Sequence, residues 1–382
     1  MSNSSSSKKI QRGRPHQRRA PPGTSEDPDA ILARLPVGTR DYIRVVGALL
    51  KKFNHQHATK HKGVSFDTML DRQRFLAAFF RELRRHTQFN NLDPRQLANR
   101  HVAVMVARWV ERGLKTATIH SYLSFLRTNA GWIGKAGMVL APERYVGSDS
   151  PHAHRKQVAT QDKSWSAKHI DVKAKTAEIA AFDPWVGLQV EICDAFGLRG
   201  KEARHFHPHG AIIPREQANP RDAEAFPEAE FFVQVRHGAK GGRARDVPLT
   251  TAAQRELIER CCAAVAKGMY VGRPGRTSEQ NQNRFHYVLR KFGISEKQLG
   301  VVAHGLRHQF VNDEYERDTG SPTPVRGGDV RPIGDTFARE RAAARLGHSR
   351  VQIVSCYIGP QSRGPEGGSP RPTTGAATGD AS

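Results

Sequence analysis

The chain has 382 residues, enough for two domains with cores of their own. It carries 60 Lys and Arg against 37 Asp and Glu, a net charge of +23, which favours a polyanionic partner such as DNA, RNA or an anionic membrane. The sequence lacks the run of about 18 apolar residues that a membrane span needs. The basic N-terminus is not followed by the apolar stretch of a signal peptide. Membrane is therefore the poorest of the three partners.

The cysteine pattern agrees with a reducing compartment. The four cysteines are Cys193, Cys261, Cys262 and Cys356. Their spacing matches neither a zinc site nor a disulfide framework. We therefore expect a cytoplasmic protein with free thiols.

Both ends of the chain have compositions that cannot bury a core. Residues 1–36 are rich in Ser, Arg and Pro, and residues 361–382 in Gly, Pro, Ser and Thr. We predict that both segments are disordered. The basic N-terminal arm is either a DNA-contacting extension or a solubilising tail. The arm has six basic residues before its first acid: Lys8, Lys9, Arg12, Arg14, Arg18 and Arg19.

Residues 37–135 have the pattern of a compact helical module. Apolar residues recur at helical spacing in 41–53 and 67–86. Asp93 and Pro94 predict the start of a third helix, because Asp caps a helix and Pro suits its first turn. A fourth helix begins at Thr116 or Thr118. Basic residues with few acids between them lie on the outer faces: Lys51, Lys52, Lys60, Lys62, Arg81, Arg84, Arg85, Arg100, Arg108, Lys115 and Arg127. We favour a DNA-binding surface over an ordinary solvated face.

The mixed polarity of residues 136–170 predicts an exposed linker, and a second domain follows at 171–360. Periodicity in the second domain predicts helices at 173–181, 184–196, 251–267 and 278–292, and strands at 231–236 and 243–249. The Gly-rich residues 238–242 form the turn between the two strands. The Gly- and Pro-rich residues 319–334 predict an exposed loop.

The end of the second domain gathers side chains suited to phosphodiester chemistry. His304 and Arg307 are three positions apart and share one face of a helix. His348 follows a Leu-Gly helix stop, and Tyr357 comes nine residues later. Arginine binds phosphate oxygens through a fork of donors, and tyrosine is a nucleophile when its neighbours assist it. The group predicts attack on a phosphodiester, although each residue alone is equally typical of a core or a surface.

Two candidate residues lie upstream of this group. Arg199 opens a helix, where a cation opposes the helix dipole, so we expect it to have an anionic partner. Glu202 is three residues on and can hold the guanidinium; the alternative is a surface ion pair. Lys240 at the hairpin tip either reaches into a neighbouring site or is a solvated turn lysine.

Three alternating histidines also allow a metal site. His205, His207 and His209 would lie on one side of an extended chain, and imidazole suits zinc. Glu202 is the only acid close by, and Pro208 interrupts the run. We therefore predict a structural role for the three histidines and no metal.

Five motifs occur in a fixed order. They are Gly197-Leu198-Arg199-x-x-Glu202, then Gly238-Ala239-Lys240-Gly241-Gly242-Arg243-Ala244-Arg245-Asp246-Val247-Pro248-Leu249, His304-x-Leu306-Arg307-His308, Leu346-Gly347-His348-Ser349 and Tyr357. The series resembles the catalytic domain of the tyrosine recombinase (phage integrase) family over residues 171–359. Residues 40–135 resemble, more weakly, the core-binding domain of that family.

The resemblance implies a role for each candidate residue. Arg199 and Arg307 would clamp the non-bridging oxygens of the scissile phosphate and stabilise the pentavalent transition state. Tyr357 would attack the phosphorus, forming a 3′-phosphotyrosine and freeing a 5′-hydroxyl. Glu202 would hold Arg199. Because the covalent bond conserves the phosphodiester energy, the family needs neither ATP nor metal, and we expect no cofactor.

Three further roles follow from the same resemblance. His304 would act as acid or base and bind the phosphate. His348 would hydrogen-bond the phosphate. Lys240 would protonate the leaving 5′-oxygen.

These implications define the predicted protein. The fold would be mainly α with a small antiparallel β-sheet: a helical DNA-binding domain followed by a tyrosine-recombinase-like catalytic domain. The function would be site-specific recombination or integration for a mobile genetic element, in the cytoplasm, by a homotetramer holding two double-stranded DNA sites. A type IB topoisomerase and a non-catalytic DNA-binding protein are the alternatives; a binding protein needs no nucleophile.

The sequence departs from the family pattern in two places. The loop at 319–334 separates the His304 motif from His348 by more than is typical of the family. The segment after Tyr357 lacks the apolar stretch that many relatives dock onto a neighbouring protomer. How the protomers are linked therefore stays open at this point.

Overall fold

The computed structural model describes residues 26–57, 63–239 and 242–361. It is mainly helical with one small antiparallel sheet, which confirms the predicted fold class. Helices long and apolar enough to cross a membrane do not occur in the described residues. The disorder predicted for residues 1–25 and 362–382 falls outside the described part of the chain.

The chain divides into two compact units, residues 1–155 and 156–382. The helices of the first unit are α1 (Pro28–Arg34), α2 (Tyr42–Phe53), α3 (Phe66–His86), α4 (Asn99–Glu111), α5 (Thr116–Trp132) and α6 (Glu143–Val146). Apolar stripes of α3, α4 and α5 meet in one core. Phe75 contacts Tyr122 at a ring distance of 4.5 Å, and Trp109 contacts the same tyrosine at 5.0 Å. The helical periodicity at 67–86 and beyond thus marks buried faces.

Two details of the first unit differ from the sequence prediction. Asp93 and Pro94 open only a short 3-10 helix, Pro94–Gln96, and α4 begins later, at Asn99. The reason is that Asp93 is fully buried and accepts hydrogen bonds from the backbone of Gly38 and from Arg95, so it ties two segments together instead of starting a long helix.

Part of the segment predicted to be disordered is helical. Asp27 caps α1 by accepting from the backbone N–H of Asp29. Arg95 donates to the carbonyls of Leu32, Leu35 and Pro36 and holds the end of α1 on the unit. A local cap and one distant arginine therefore order this part of the arm.

The second unit contains nine described helices around a three-stranded sheet. They are α7 (Val172–Phe182), α8 (Pro184–Phe196), α9 (Gly200–Arg204), α10 (Pro220–Ala225), α11 (Ala252–Ala264), α12 (Ser278–Lys291), α13 (His304–Thr319), α14 (Asp335–Arg345) and α15 (Ser355–Ile358). The strands are β1 (Ile212–Pro214), β2 (Phe231–Val235) and β3 (Arg245–Pro248). Both strand pairs are antiparallel, and Val233 of β2 lies opposite Ile212 on one side and Val247 on the other. The predicted hairpin is thus β2–β3, and β1 was missed.

Residues 136–170 are largely exposed, as predicted, but a few of their side chains enter a core. Trp165 is fully buried in the core of the second unit, and its indole N–H donates to the carbonyl of Val302 at 3.0 Å. Gly305 packs so closely on this tryptophan that a Cβ would lie 2.8 Å from its ring. The segment therefore supports the start of α13, where His304 lies.

The loop at 319–334 is also less exposed than predicted. Thr323 is fully buried and donates to Asn312 at 2.7 Å. Arg326, in the 3-10 helix Pro324–Arg326, binds the carboxylates of Asp162 at 2.9 Å and Asp313 at 2.7 Å. Long-range ion pairs of this kind cannot be read from a Gly- and Pro-rich composition.

Candidate active site

One buried carboxylate organises the polar cluster of the second unit. Glu202 on α9 accepts from both terminal nitrogens of Arg245, at 3.1 Å and 2.8 Å. It also accepts from Nη1 of Arg199 at 2.7 Å and from the backbone N–H of the same residue at 2.8 Å. A terminal nitrogen of Arg307 lies 3.9 Å away. Glu202 is fully buried, so its pairing with Arg199 is not a surface ion pair.

The glycine of the first motif is required by its backbone and its surroundings. Gly197 ends α8 with φ of 59°, and a Cβ there would lie 2.4 Å from the ring of Phe310. Its carbonyl accepts from Nη1 of Arg307 at 2.6 Å. Two residues later, Arg199 is the N-cap residue of α9 and Glu202 lies in the first turn. The carboxylate therefore caps the helix and pairs with the arginines at once.

The turn that carries His348 is braced by arginines. Gly347 follows α14 with φ of 66°, and a Cβ there would lie 2.9 Å from Cδ of Arg245. Arg221 donates to the carbonyl of His348 at 2.7 Å, and Arg243 donates to the serine hydroxyl of the next residue at 2.9 Å. The Leu-Gly helix stop thus places the imidazole in a fixed turn beside the Glu202 cluster.

Tyr357 on α15 lies among these cations and imidazoles. It is 6% exposed, and its hydroxyl accepts from Nε of Arg307 at 3.3 Å. Three imidazole rings surround it, with ring centroids at 4.8 Å for His308, 5.8 Å for His348 and 5.9 Å for His304. The second unit therefore gathers Glu202 and five of the six residues predicted to be catalytic: Arg199, His304, Arg307, His348 and Tyr357. Lys240 lies outside the described residues.

Burial and the nearby cations keep the imidazoles neutral. Burial, followed by the charges of Arg307 and Arg199, lowers the pKa of His348 to about 3. Burial is also the first cause for His308, whose pKa falls to about 3. His304 is exposed as a whole, and desolvation of its ring followed by the same two arginines lowers its pKa as well. All three rings are therefore uncharged at pH 7 in the DNA-free chain.

The charges of the cluster favour an anion. Burial alone would raise the pKa of Glu202, but hydrogen bonds and charges from Arg245, and then the charges of Arg307 and Arg199, lower it to about 2. Burial is the main cause that lowers the pKa of Arg307 to about 10, so that it still carries its charge at pH 7. Three guanidinium groups against one carboxylate leave two net positive charges. A phosphodiester carries one negative charge and gains a second in its pentavalent transition state, which such a cluster stabilises.

The three alternating histidines have separate partners. His205 lies 2.9 Å from a serine hydroxyl at the start of α12, and His209 lies 2.6 Å from a backbone carbonyl. His207 packs against His237 at a ring distance of 4.5 Å. Groups of three or more potential metal ligands do not occur in the described residues. The described contacts of these histidines are those of packing residues.

Two residues of the cluster were given no role from the sequence. Arg245 is 2% exposed although it begins a strand, and only its position opposite Glu202 shows why. His308 lies one residue after Arg307 and packs on Tyr357, a contact that helical spacing from α13 alone does not reveal. The signal for Arg245 was an Arg-Asp pair inside an otherwise apolar strand.

Comparisons with known proteins agree with this picture. The family model described as phage integrase, N-terminal, matches residues 50–139. A solved structure of a lambda integrase (75–356) dimer bound to a COC′ core site has a TM-score of 0.51, with 14% identity over 86% of this chain and 99% of that chain. A structure of the Tn1549 transposon integrase with transposon right-end DNA has a TM-score of 0.46, with 13% identity over 82% of this chain and 94% of that chain. A search of curated proteins gives no match. The family model supports the weaker resemblance drawn for residues 40–135, and the lambda integrase structure shows the same fold.

Proposed function

We propose that this chain is a tyrosine recombinase of the phage integrase family, and that it cuts and rejoins DNA at specific sites through a covalent bond between Tyr357 and a DNA 3′-phosphate. The observation that carries the proposal is the 3.3 Å contact between Nε of Arg307 and the hydroxyl of Tyr357. Arg307 is itself held by the carbonyls of Gly197 and Leu346, at 2.6 Å and 2.8 Å. A potential nucleophile therefore lies beside a cation of fixed position, which simple DNA binding does not require.

The proposed step follows from this arrangement. The hydroxyl oxygen of Tyr357 attacks the scissile phosphorus and loses its proton, the bond to the 5′-oxygen breaks, and that oxygen takes up a proton. Arg199 and Arg307 bind the non-bridging oxygens, and their charge acts mostly on the transition state. His304, whose imidazole is neutral in the DNA-free chain, is the candidate base for the proton that Tyr357 loses. Lys240, which lies between β2 and β3 in the sequence, is proposed to supply the proton to the 5′-oxygen.

His348 would respond to the bound phosphate. Its pKa is low in the DNA-free chain because the ring is buried beside arginines. A phosphate placed in the cluster adds negative charge close to the imidazole and raises that pKa. The ring then becomes a better hydrogen-bond donor at the moment when the phosphate needs one. Religation reverses the same steps with a 5′-hydroxyl as nucleophile.

Double-stranded DNA is the proposed partner, and the lambda integrase structure is likewise bound to a core site. The net charge of +23 supports this partner. Several of the basic residues predicted to face DNA are exposed: Lys51, Arg81, Arg85, Arg100, Lys115 and Arg127. Arg108 instead binds Glu82 at 3.2 Å, and Lys60 and Lys62 lie outside the described residues. We further propose a homotetramer on two DNA sites, acting in the cytoplasm for a mobile element, without metal or ATP.

Covalent trapping on genomic DNA tests the proposal. The protein is incubated with fragmented DNA, denatured rapidly, and the attached ends are sequenced. We expect ends from a restricted set of sequences, linked through their 3′-phosphates, and loss of the adduct in Tyr357→Phe with DNA binding retained. Normal adduct yield in Tyr357→Phe would contradict the assignment. Relaxation of supercoiled plasmid without joining of two sites would favour a topoisomerase.

A further inference from the structure

A buried arginine of α14 holds both ends of the helix that carries Tyr357. The side chain of Arg339 is fully buried. Its Nη1 lies 3.3 Å from the hydroxyl of Ser355 and 3.5 Å from the carbonyl of Gly359. Its Nη2 donates to the carbonyl of Pro360 at 2.8 Å. One guanidinium therefore contacts the first residue of α15 and the two residues that follow the helix.

Arg339 is fixed in turn by a carboxylate. Its Nε donates to Oδ1 of Asp335 at 2.8 Å, and the hydroxyl of Tyr315 donates to the same oxygen at 2.5 Å. Burial, followed by this hydrogen bond, raises the pKa of Tyr315, so its hydroxyl remains a donor. Tyr315 lies on α13, the helix that also carries Arg307. The chain Tyr315–Asp335–Arg339 thus links the helix of Arg307 to the helix of Tyr357.

The short tyrosine helix needs such a hold. α15 is one turn that continues from the 3-10 helix Val351–Val354, and so short a helix depends on tertiary contacts because its own backbone hydrogen bonds do not offset the lost entropy. The contact between Tyr357 and Arg307 holds the hydroxyl in the DNA-free chain. In the proposed reaction, Arg307 turns its donors to the phosphate. A second hold that does not involve the phosphate then has to keep Tyr357 in place.

We propose that Arg339 is a positioning residue for the strand-cleavage step: it fixes α15 so that the hydroxyl of Tyr357 stays beside Arg307 while DNA is bound. This inference rests on the proposed function. Arg339 lies outside the five motifs, and none of the motif residues is proposed to fix the position of α15. Misplacing a reacting group by about 1 Å lowers a rate by about 100-fold, so loss of the hold should be visible in the cleavage rate.

The test compares two buried arginines of the same helix. Arg339→Lys keeps the charge that Asp335 needs but loses the planar fork. The matched control is Arg341→Lys, because Arg341 pairs with Glu228 and stacks on Phe226 instead of contacting α15. If Arg339→Lys does not fold, the test uses the double variant Asp335→Asn with Arg339→Gln in its place. That variant removes both buried charges together.

The first measurement needs no DNA. Amide hydrogen exchange across residues 355–361 is followed in the wild type and in both variants. We expect faster exchange in this segment for Arg339→Lys and unchanged exchange for Arg341→Lys. Equal exchange in the two variants would overturn the proposed hold, whatever the protein does to DNA. Absence of any adduct from the wild type would instead overturn the proposed function.

The second measurement uses a nicked duplex built from the sequence recovered by covalent trapping. We expect single-turnover adduct formation to fall by about 100-fold in Arg339→Lys, with unchanged DNA affinity, and to remain near the wild-type rate in Arg341→Lys. In a Tyr357→Phe background, added hydroperoxide replaces the tyrosine as nucleophile. There, Arg339→Lys should leave the hydroperoxide cleavage rate unchanged, because only the tyrosine depends on the hold. An equal loss with hydroperoxide would show general damage to the site and reject the positioning role.

Discussion

Arg245 of β3 donates both of its terminal guanidinium nitrogens to the carboxylate of Glu202, at 3.1 Å and 2.8 Å, and the two side chains are 2% and 0% exposed. The third nitrogen of Arg245, Nε, donates to the carbonyl of Arg345 at the end of α14 at 2.9 Å. The contacts of Arg245 therefore join β3 to α9 through the ion pair and to α14 through the hydrogen bond. It also fixes the carboxylate that orients Arg199.

Removal of Arg245 should leave a buried carboxylate short of its main partner. We expect Arg245→Met to lower the free energy of unfolding by about 3–5 kcal/mol, measured by urea denaturation. The double variant Glu202→Gln with Arg245→Met should recover part of that loss, since it leaves no unpaired buried charge. A loss below about 1 kcal/mol in the single variant would show that the pair is not essential to the fold.

Alanine variants of the two arginines proposed to bind the phosphate should differ in stability but not in their loss of cleavage rate. The side chain of Arg199 is 25% exposed, whereas that of Arg307 is fully buried and bound to two backbone carbonyls. We expect both alanine variants to slow covalent adduct formation by about 100- to 1,000-fold in single-turnover assays. DNA affinity should change little, because many surface cations supply it.

Thermal unfolding separates the same two variants. Arg307→Ala should melt well below the wild type, because the carbonyls of Gly197 and Leu346 lose a buried donor. Arg199→Ala should melt close to the wild type. Adduct formation at the wild-type rate in either variant would remove that arginine from the proposed site.

Much of the fold was accessible from local patterns. The caps and apolar periodicity predicted α2, α3, α8 and α12 to within a few residues. α2, α3 and α12 have one buried face each, whereas α8 is buried on nearly all sides and its bounds follow from Asp183, Pro184 and Gly197. The β2–β3 hairpin followed from alternation and a Gly-rich turn. By contrast, β1 has only three residues and ends in Pro214, so alternation cannot develop over its length.

The supporting residues of the site were beyond local patterns. Arg339, Arg341 and Arg345 on α14 look like a solvated helix face in the sequence, yet all three are buried. Their acidic partners are spread over other elements; Arg345, for example, pairs with Glu314 and Asp318. The sequence does not show which distant carboxylate meets which arginine. The residues proposed for the chemistry form ordered motifs, while those that hold them in place do not.

Lys240 remains a prediction from the sequence, and a modified substrate tests it. A lysine at a hairpin tip is a suitable general acid because its flexible stem can reach the leaving oxygen. Lys240→Ala should slow cleavage of an ordinary phosphodiester. It should hardly affect a substrate whose 5′-bridging oxygen is replaced by sulfur, because a thiolate leaves without a proton.

Lys163 provides the comparison for this experiment. It is close enough to His304 and His308 for its charge to contribute to their lowered pKa values. Lys163→Ala should therefore slow both substrates alike if it acts only through its charge. Equal losses on the two substrates with Lys240→Ala would reject its acid role and leave His304 as the next candidate.

The buried imidazoles predict that the second unit loses stability as the pH falls. An unfolded histidine titrates near pH 6.5, whereas burial and then the positive surroundings lower the pKa of His308 to about 3. Between these values the unfolded chain binds a proton that the folded chain does not, so stability decreases as the pH drops below about 6.5. The loss from one such histidine is about 2 kcal/mol at pH 5.

Urea denaturation at pH 7 and pH 5 measures this dependence. Nδ1 of His308 has no hydrogen-bond partner among the described residues, so substitution by phenylalanine removes no hydrogen bond at that atom. The phenylalanine ring can still pack on Tyr357. His308→Phe should therefore lose about 2 kcal/mol less than the wild type between the two pH values. The control is His169→Asn, an exposed position with φ of 56° that asparagine also accepts, and its pH dependence should follow the wild type. If the free energy of unfolding changed with pH in the same way for His308→Phe and the wild type, His308 would already be protonated at pH 5 in the folded chain. That result would contradict the assignment of neutral imidazoles around Tyr357.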